Sequence, residues 1–252
     1  MVQEEILIKS TLDSTMQPSL YYAAEGDEAR PLLVGLHTWS FDRFNQIKYL
    51  LTLAEEQNWN MLLPDFRGPN FDSNPEPLKA CGSVYAKQDI KEAIDHILET
   101  RNVDKNNIFL VGLSGGGHMA MLMAGYCPEY FRAIAPFVPI SDLAMWKEEC
   151  PEGYVKHIIA CTNDDRDEMY DRSPIKYMDT IAKSNMKIFH GKRDNVVPVH
   201  QSIDFYCEMM KKHPTAKIYL DIFDGGHQFD VNLCKYWLMS QYKETKNADV
   251  TG

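Results

Sequence analysis

The sequence predicts an α/β protein: a mostly parallel, twisted sheet of about eight strands with helices on both faces. Three observations carry that expectation. Short apolar runs alternate with stretches of helical spacing along most of the chain. Some runs, such as Pro31-Leu-Leu-Val-Gly-Leu36, are apolar throughout, as strands covered on both faces are. Finally, Ile108-Phe-Leu-Val-Gly-Leu113 passes through Ser114-Gly-Gly-Gly-His118 into Met119-Ala-Met-Leu-Met-Ala-Gly125, a strand, a tight turn and a helix in succession.

The elements follow in order. Residues 4–10 and 19–24 read as two short strands joined by a polar turn at Asp13-Ser14. Residues 31–36 are the third strand, and helical spacing runs over 44–57. Residues 60–65 are another apolar strand, and 66–77, rich in Pro, Asn and Asp, form a long loop. Apolar residues at 86, 90, 93, 94, 97 and 98 mark an amphipathic helix over 85–99. Strands are expected at 108–113 and 133–138. Residues 141–173 read as irregular, with Pro151 and the acidic run Asp164-Asp-Arg-Asp-Glu168, and are a candidate small lid. Pro174 after Ser173 opens a helix over 174–182. A strand at 186–190, a helix at 199–212, a strand at 216–223 and a helix at 230–242 complete the pattern. Residues 243–252 are polar, a frayed tail. No repeat or low-complexity linker interrupts the chain, so residues 1–252 are expected to form one domain.

Composition narrows the function. With 252 residues and 44% hydrophobic content, the chain can build one large core. Its net charge of −10 and lack of a basic stripe argue against nucleic acid, and no run of 18 apolar residues suggests a membrane span. The acidity reads as solubility. Cysteines at 81, 127, 150, 161, 207 and 234 have no C-x-x-C spacing, so no metal site is expected; Cys150 and Cys161 bracket one segment and are candidates to pair. The acidic start Met1-Val-Gln-Glu-Glu has no apolar signal core, which predicts a cytoplasmic protein.

The chemistry centres on Gly112-Leu113-Ser114-Gly115-Gly116, a match to G-x-S-x-G. That pattern describes a serine on a strained turn between strand and helix, with glycines where a Cβ would crowd its neighbours. A serine hydroxyl needs a base within hydrogen-bond reach, and the base needs a group to orient it. In such proteins the chain order is serine, acid, histidine. After the strand at 186–190 comes Gly191-Lys-Arg-Asp194, and after the strand at 216–223 comes Asp224-Gly-Gly-His227. Both lie just past strand C-termini, where open α/β sheets build sites. The catalytic assignment is therefore Ser114 as nucleophile, His227 as general base and then acid, and Asp194 as orienting carboxylate. Asp221, inside the last strand, and Asp224, three residues from His227, compete less well for the acid. His118, His37 and His190 read as structural: a helix residue, a loop-fixing hydrogen-bonder and a packed strand end.

With these residues in view, the chain resembles the α/β-hydrolase superfamily, in its prolyl-oligopeptidase-like branch of serine esterases and peptidases. The resemblance rests on Gly112-Leu-Ser-Gly-Gly116, His190-Gly-Lys-Arg-Asp194 with Val197-Pro198, and Gly226-His227, with Pro139-Ile-Ser-Asp142 and Ser173-Pro-Ile-Lys-Tyr177 beside them. It extends over about residues 31–240 and implies an α/β-hydrolase fold and no cofactor. The elbow makes the N–H of Gly115 one oxyanion donor. The second should come from the loop after residues 32–36. Relatives often carry His-Gly-Gly there; this chain has His37-Thr38-Trp39-Ser40, so Thr38 or Trp39 must supply the N–H, and Trp39 is favoured. Trp39, Arg67 and Trp146 are candidate substrate-binding residues, with an internal salt bridge the alternative for Arg67 and packing the alternative for Trp39.

The leading functional expectation is a serine hydrolase that cleaves an ester, a small acyl or carbohydrate ester, through an acyl-enzyme on Ser114. The chain has no room for a β-propeller that would sieve peptides, hence the preference for esters. A peptidase of the same branch, such as an aminopeptidase using the acidic run 164–168 to hold a free amine, is the alternative. A non-catalytic binding module on the same fold is a further one. The partner is thus a small-molecule ester or a short peptide; the oligomeric state is left open.

Overall fold

A computed structural model describes residues 1–68 and 74–243. Apolar runs of β-branched, leucine and aromatic residues form the strands β1 (Val2–Lys9), β2 (Met16–Ala23), β3 (Arg30–Leu36), β4 (Asn60–Pro64), β5 (Val103–Leu113), β6 (Ala133–Phe137), β7 (Asn185–Gly191) and β8 (Lys217–Phe223). The helices are α1 (Ile47–Gln57), α2 (Val84–Thr100), α3 (Gly115–Tyr126), α4 (Leu143–Lys147), α5 (Glu152–Thr162), α6 (Arg166–Asp171), α7 (Met178–Ile181), α8 (His200–Lys212) and α9 (Val231–Gln241).

The eight strands form one sheet in the order β1-β2-β4-β3-β5-β6-β7-β8. The β1–β2 hairpin and the β2–β4 pair are antiparallel; every other pair is parallel. The sheet is therefore the mostly parallel α/β sheet that the alternation predicts. Two apolar layers cover it. Leu32, Val34, Leu110 and Ile188 pack on one face with Ile90 and Ile94 of α2, Met119 to Met123 of α3 and Phe205 of α8. Leu33, Phe109, Val111 and Phe189 point the other way, to Leu50 and Leu53 of α1 and Leu238 of α9. The period of two along each strand sends alternate residues to opposite layers.

This arrangement positions the site. The strand order reverses at β3, with β4 on one side and β5 on the other. The helices that follow β3 and β5, α1 and α3, pack on opposite faces. Their connecting loops must part at the C-terminal edge, which leaves a crevice there.

Residues 141–173 differ from expectation. They fold into α4, α5 and α6 rather than an irregular segment. The polar residues that hid α4 and α6 are their caps: Asp142 accepts from Met145 N–H, and Asp165 accepts from the N–H groups of Asp167 and Glu168. Asp165 of the acidic run is thus the N-cap of α6, and Asp167 and Glu168 lie in its first turn, where carboxylates favour the helix dipole. Around α4–α6 lies a third apolar cluster, with Trp39, Trp146, Ile158 and Met169. The helix expected over 174–182 is broken into a 3₁₀ turn at Pro174–Tyr177 and the short α7. Of the polar tail, only Lys243 lies among the described residues; its N–H donates to Asn107 Oδ1 at 3.0 Å.

Arg67 is not at the substrate's disposal. It is buried, donating from Nη1 to Asp13 at 2.8 Å and from Nε to Asp89. This cluster ties the β1–β2 turn to α2. Arg67→Met would leave the buried Asp89 carboxylate without its cation, while Asp13 keeps Lys79 at 2.9 Å, and is expected to lower stability by about 3 kcal/mol. The shift in the urea unfolding midpoint measures it, and an unchanged midpoint would contradict the account.

Candidate active site

The centre is built on crowded backbone. Ser114 follows β5 as the N-cap of α3, with φ 57° and ψ −118°, a conformation L-residues adopt only under constraint. Its N–H donates to the Phe137 carbonyl at 2.9 Å, and its carbonyl accepts from His118 N–H at 2.8 Å. A Cβ on Gly112 would lie 2.0 Å from the Gly116 carbonyl oxygen, and one on Gly116 would lie 2.1 Å from that of Leu36. Glycine is therefore required at both places, and the start of α3 sits hard against the end of β3.

Asp194 and His227 meet on the same rim. His227 Nδ1–H donates to Asp194 Oδ2 at 2.8 Å. Asp194 Oδ1 accepts the backbone N–H groups of Val196 at 2.8 Å and Val197 at 2.9 Å. His190 Nε2 stands 3.5 Å from Asp194 Oδ2, while its Nδ1 contacts Ser202 Oγ at 2.7 Å. Burial raises the Asp194 pKa, but hydrogen bonds from His190, His227 and Val196 outweigh it, so the carboxyl is held well below the usual range. Trp146 Nε1–H donates to the Val196 carbonyl at 2.8 Å and so fixes the same loop.

Among the described residues, His227 makes one hydrogen bond, the one to Asp194; none joins it to Ser114. The two are brought to one rim by backbone and aromatic packing. Phe229 lies with its ring centroid 4.4 Å from that of Phe137, the residue whose carbonyl receives the Ser114 N–H. Serine–base contacts are often loose without substrate and tighten in the Michaelis complex.

Of the oxyanion candidates, Gly115 is the first residue of α3, where N–H groups have no intrahelical acceptor. Thr38 N–H is engaged, donating to Asn45 Oδ1 at 3.3 Å. Trp39 N–H donates to nothing among the described residues. The Trp39 ring lies against Gly115, where a Cβ would fall 2.0 Å from it.

The substrate-binding assignments need correction. Trp39 and Trp146 are buried and stack edge to face at 5.2 Å, so both serve as packing beneath the rim, while Arg67 is held in its ion pairs. The competing acids are occupied elsewhere: Asp221 pairs with Lys187, and Asp224 with Lys192 and Arg193. Cys150 and Cys161 are not paired; the Cys161 thiol faces His157 Nε2 at 3.5 Å. Sequence reasoning missed the part His190 plays beside Asp194. The signal was its place four residues before the acid, at the end of a strand.

The parallel sheet, the serine elbow between β5 and α3 and the carboxylate–imidazole pair past β7 and β8 define an α/β-hydrolase. Residues 76–244 match the Prolyl oligopeptidase family. The acylamino-acid-releasing enzyme of Rattus norvegicus is 26% identical over 172 residues, 64% of this chain and 23% of that protein. Acylamino-acid-releasing enzyme 2 of Oryza sativa subsp. japonica is 22% identical over 245 residues, 90% of this chain and 29% of that one. The structure of the Pyrococcus horikoshii acylaminoacyl peptidase superposes with a TM-score of 0.78 at 18% identity, covering 98% of this chain and 43% of that one. The chain belongs to the prolyl oligopeptidase family. It spans about a quarter of the length of the curated relatives it matches. Among the described residues, no helix is long and apolar enough to cross a membrane.

His118 gives a pH-dependent prediction. Burial pushes its imidazole down to about 4, and its Nε2–H donates to the Arg172 carbonyl at 2.7 Å. An unfolded histidine takes a proton near pH 6.5, about 2.5 units earlier. Unfolding therefore takes up a proton in that window, and stability is lost as pH falls from about 6.5 to about 4. His118→Gln keeps a donor but does not titrate, so its stability relative to wild type is expected to rise over this range. Parallel urea titrations at several pH values would show it; identical pH slopes would contradict it.

Proposed function

We propose that the chain is a peptidase that releases the acyl-blocked N-terminal part of short peptides, with Ser114, His227 and Asp194 as its catalytic residues. In this reading Ser114 Oγ attacks the substrate carbonyl carbon while His227 Nε2 takes the hydroxyl proton. Charge develops on the carbonyl oxygen, which the N–H groups of Gly115 and Trp39 receive. The C–N bond then breaks, and His227 passes the proton to the leaving amine. Water, deprotonated by His227, attacks the acyl-enzyme and frees Ser114. Asp194 keeps the imidazole in the tautomer with Nε2 free to accept.

The observation that carries the acyl-blocked substrate is the state of the acidic run. A free α-amine needs a counter-charge, and residues 164–168 were its candidates. Asp164 pairs with Lys147, Asp165 caps α6 and Glu168 pairs with Arg172 at 2.5 Å, which leaves of the four acids only Asp167, exposed in the first turn of α6. A neutral, acylated N-terminus makes no such demand. The similarity to acylamino-acid-releasing enzymes and acylaminoacyl peptidases supports the same choice. It favours the peptidase alternative over the ester preference, which rested on chain length alone. Activated esters would still be cleaved, since they make the same acyl-enzyme with an easier leaving group.

The test is a comparison of N-acetylated and free aminoacyl p-nitroanilides bearing the same side chains. The acetylated series is expected to have kcat/KM at least about tenfold higher, equivalent to about 1.4 kcal/mol. A preference for the free amines would overturn the substrate assignment. Asp194→Asn is expected to lower kcat by about 10⁴.

A further inference from the structure

We propose that Asp65 and His37 share one proton and together aim the Trp39 N–H at the reaction centre, as positioning residues for the oxyanion site. The proposal rests on the hydrolase reading above and extends it to residues that touch no substrate.

The proton count follows from hydrogen-bonding geometry. His37 Nδ1 lies 2.8 Å from the Thr38 carbonyl oxygen, which can only accept, so Nδ1 carries a proton. In the neutral ring Nε2 then presents a lone pair. It faces Asp65 Oδ1 at 3.6 Å, and among the described residues neither atom has a hydrogen-bond partner. Both residues are buried. A lone pair and an ionised carboxylate cannot face each other there without a penalty, so a proton must sit between them on one atom or the other. Burial favours the uncharged arrangement, pushing the Asp65 carboxyl up to about 6 and the His37 imidazole down to about 4. The charged neighbours fit this. Arg43 Nη1 donates to Asp65 Oδ2 at 2.8 Å, and its Nη2 reaches Glu5 at 3.3 Å, so Arg43 keeps a counter-ion when Asp65 is neutral. Asp42 and Glu5 add negative charge near Asp65 and raise its proton affinity further.

The aiming follows from the peptide plane. The C=O of Thr38 and the N–H of Trp39 belong to one planar trans unit and point in opposite directions. Whatever holds the carbonyl sets the direction of the N–H. The His37 ring holds it from one side, and Phe41 N–H donates to the same oxygen at 3.2 Å. The ring itself has no room to turn. It stacks on Phe66 at 4.0 Å, and a Cβ on Gly68 would fall 2.3 Å from its Cε1. Asp65 completes the clamp at Nε2. The loop lacks a glycine at 38 or 39, so this clamp fixes a peptide that glycine would otherwise make easy to orient.

Two measurements test the proposal. The first is the imidazole ¹H–¹⁵N spectrum of His37 in the full chain at about pH 5, where the raised carboxyl and the lowered imidazole leave one proton on the pair. The expected result is Nδ1 protonated, with Nε2 showing the shift of a hydrogen-bonded acceptor in wild type and in Asp65→Asn, whose amide can donate there while its oxygen still accepts from Arg43. Asp65→Leu should lose the acceptor shift. A proton fixed on Nε2 alone, or spectra indifferent to residue 65, would overturn the shared proton.

The second is steady-state hydrolysis of an N-acetylaminoacyl p-nitroanilide. Loss of one oxyanion donor costs about 100- to 1,000-fold. Misaiming one is expected to cost less: Asp65→Leu and His37→Phe should each lower kcat about 10- to 100-fold, with KM changed less than about threefold. Asp65→Asn should stay within about threefold of wild type, and the double variant should be no worse than His37→Phe. An active wild type whose folded Asp65→Leu variant keeps its kcat would overturn the aiming role alone. A wild type that hydrolyses none of these substrates, with His37 in the expected tautomer, would overturn the hydrolase reading and the aiming role with it.

Discussion

Everything at the rim depends on the close approach of three backbone segments: the end of β3, the end of β5 and the first turn of α3. Gly112, Gly116 and the Leu36 carbonyl lie so near one another that no Cβ fits between them. That packing holds Ser114 in a conformation costing on the order of 1–3 kcal/mol. The cost is met by the hydrogen bonds on either side of Ser114 and by the buried sheet beneath. The strain has a consequence for chemistry. It ends the strand abruptly and puts the serine at the mouth of the crevice made by the reversal of strand order at β3. The same crowding seats the Trp39 ring on Gly115 and brings the β3 loop close to Ser114.

The acid half of the site is held by a different device. Asp194 sits in a short loop whose own N–H groups turn back onto its carboxylate, so the side chain is satisfied before His227 arrives. His190 and Trp146 brace that loop from the strand below and from α4. A carboxylate so well supplied with donors stays ionised, which is what an imidazole needs from its partner when it takes up a proton. The helices α4–α6 thereby act on the site indirectly, through Trp146 and the Trp39 ring it packs against.

Much of this was legible in the chain. The central strands are uninterrupted apolar runs, and nothing else of that length suits a sheet covered on both faces. The elbow was visible because it follows such a run directly, and the positions of Asp194 and His227 because each comes within four residues of a strand end. What was hidden depends on partners distant in sequence. Arg67 finds Asp13 and Asp89, and no local pattern ties a loop arginine to a turn residue 54 positions earlier. Two of the helices within 141–173, α4 and α6, were masked by their own caps, since Asp142 and Asp165 look like loop residues until the N–H groups they receive are known. Thr38 and Trp39 were separated only by Asn45, whose side chain engages one N–H and leaves the other. His37 reads as a loop-fixing residue from sequence, but its link to Asp65 requires β3 and β4 to be neighbours.

The central claim is that the Ser114 hydroxyl is made nucleophilic by His227 across the rim. Intact-protein mass spectrometry during reaction with a fluorophosphonate measures this directly, without any assumption about substrate. The account predicts a single adduct on Ser114 in the wild type, forming at least about 1,000-fold more slowly in His227→Ala. No adduct in the wild type, or an adduct that forms equally fast without the imidazole, would contradict it.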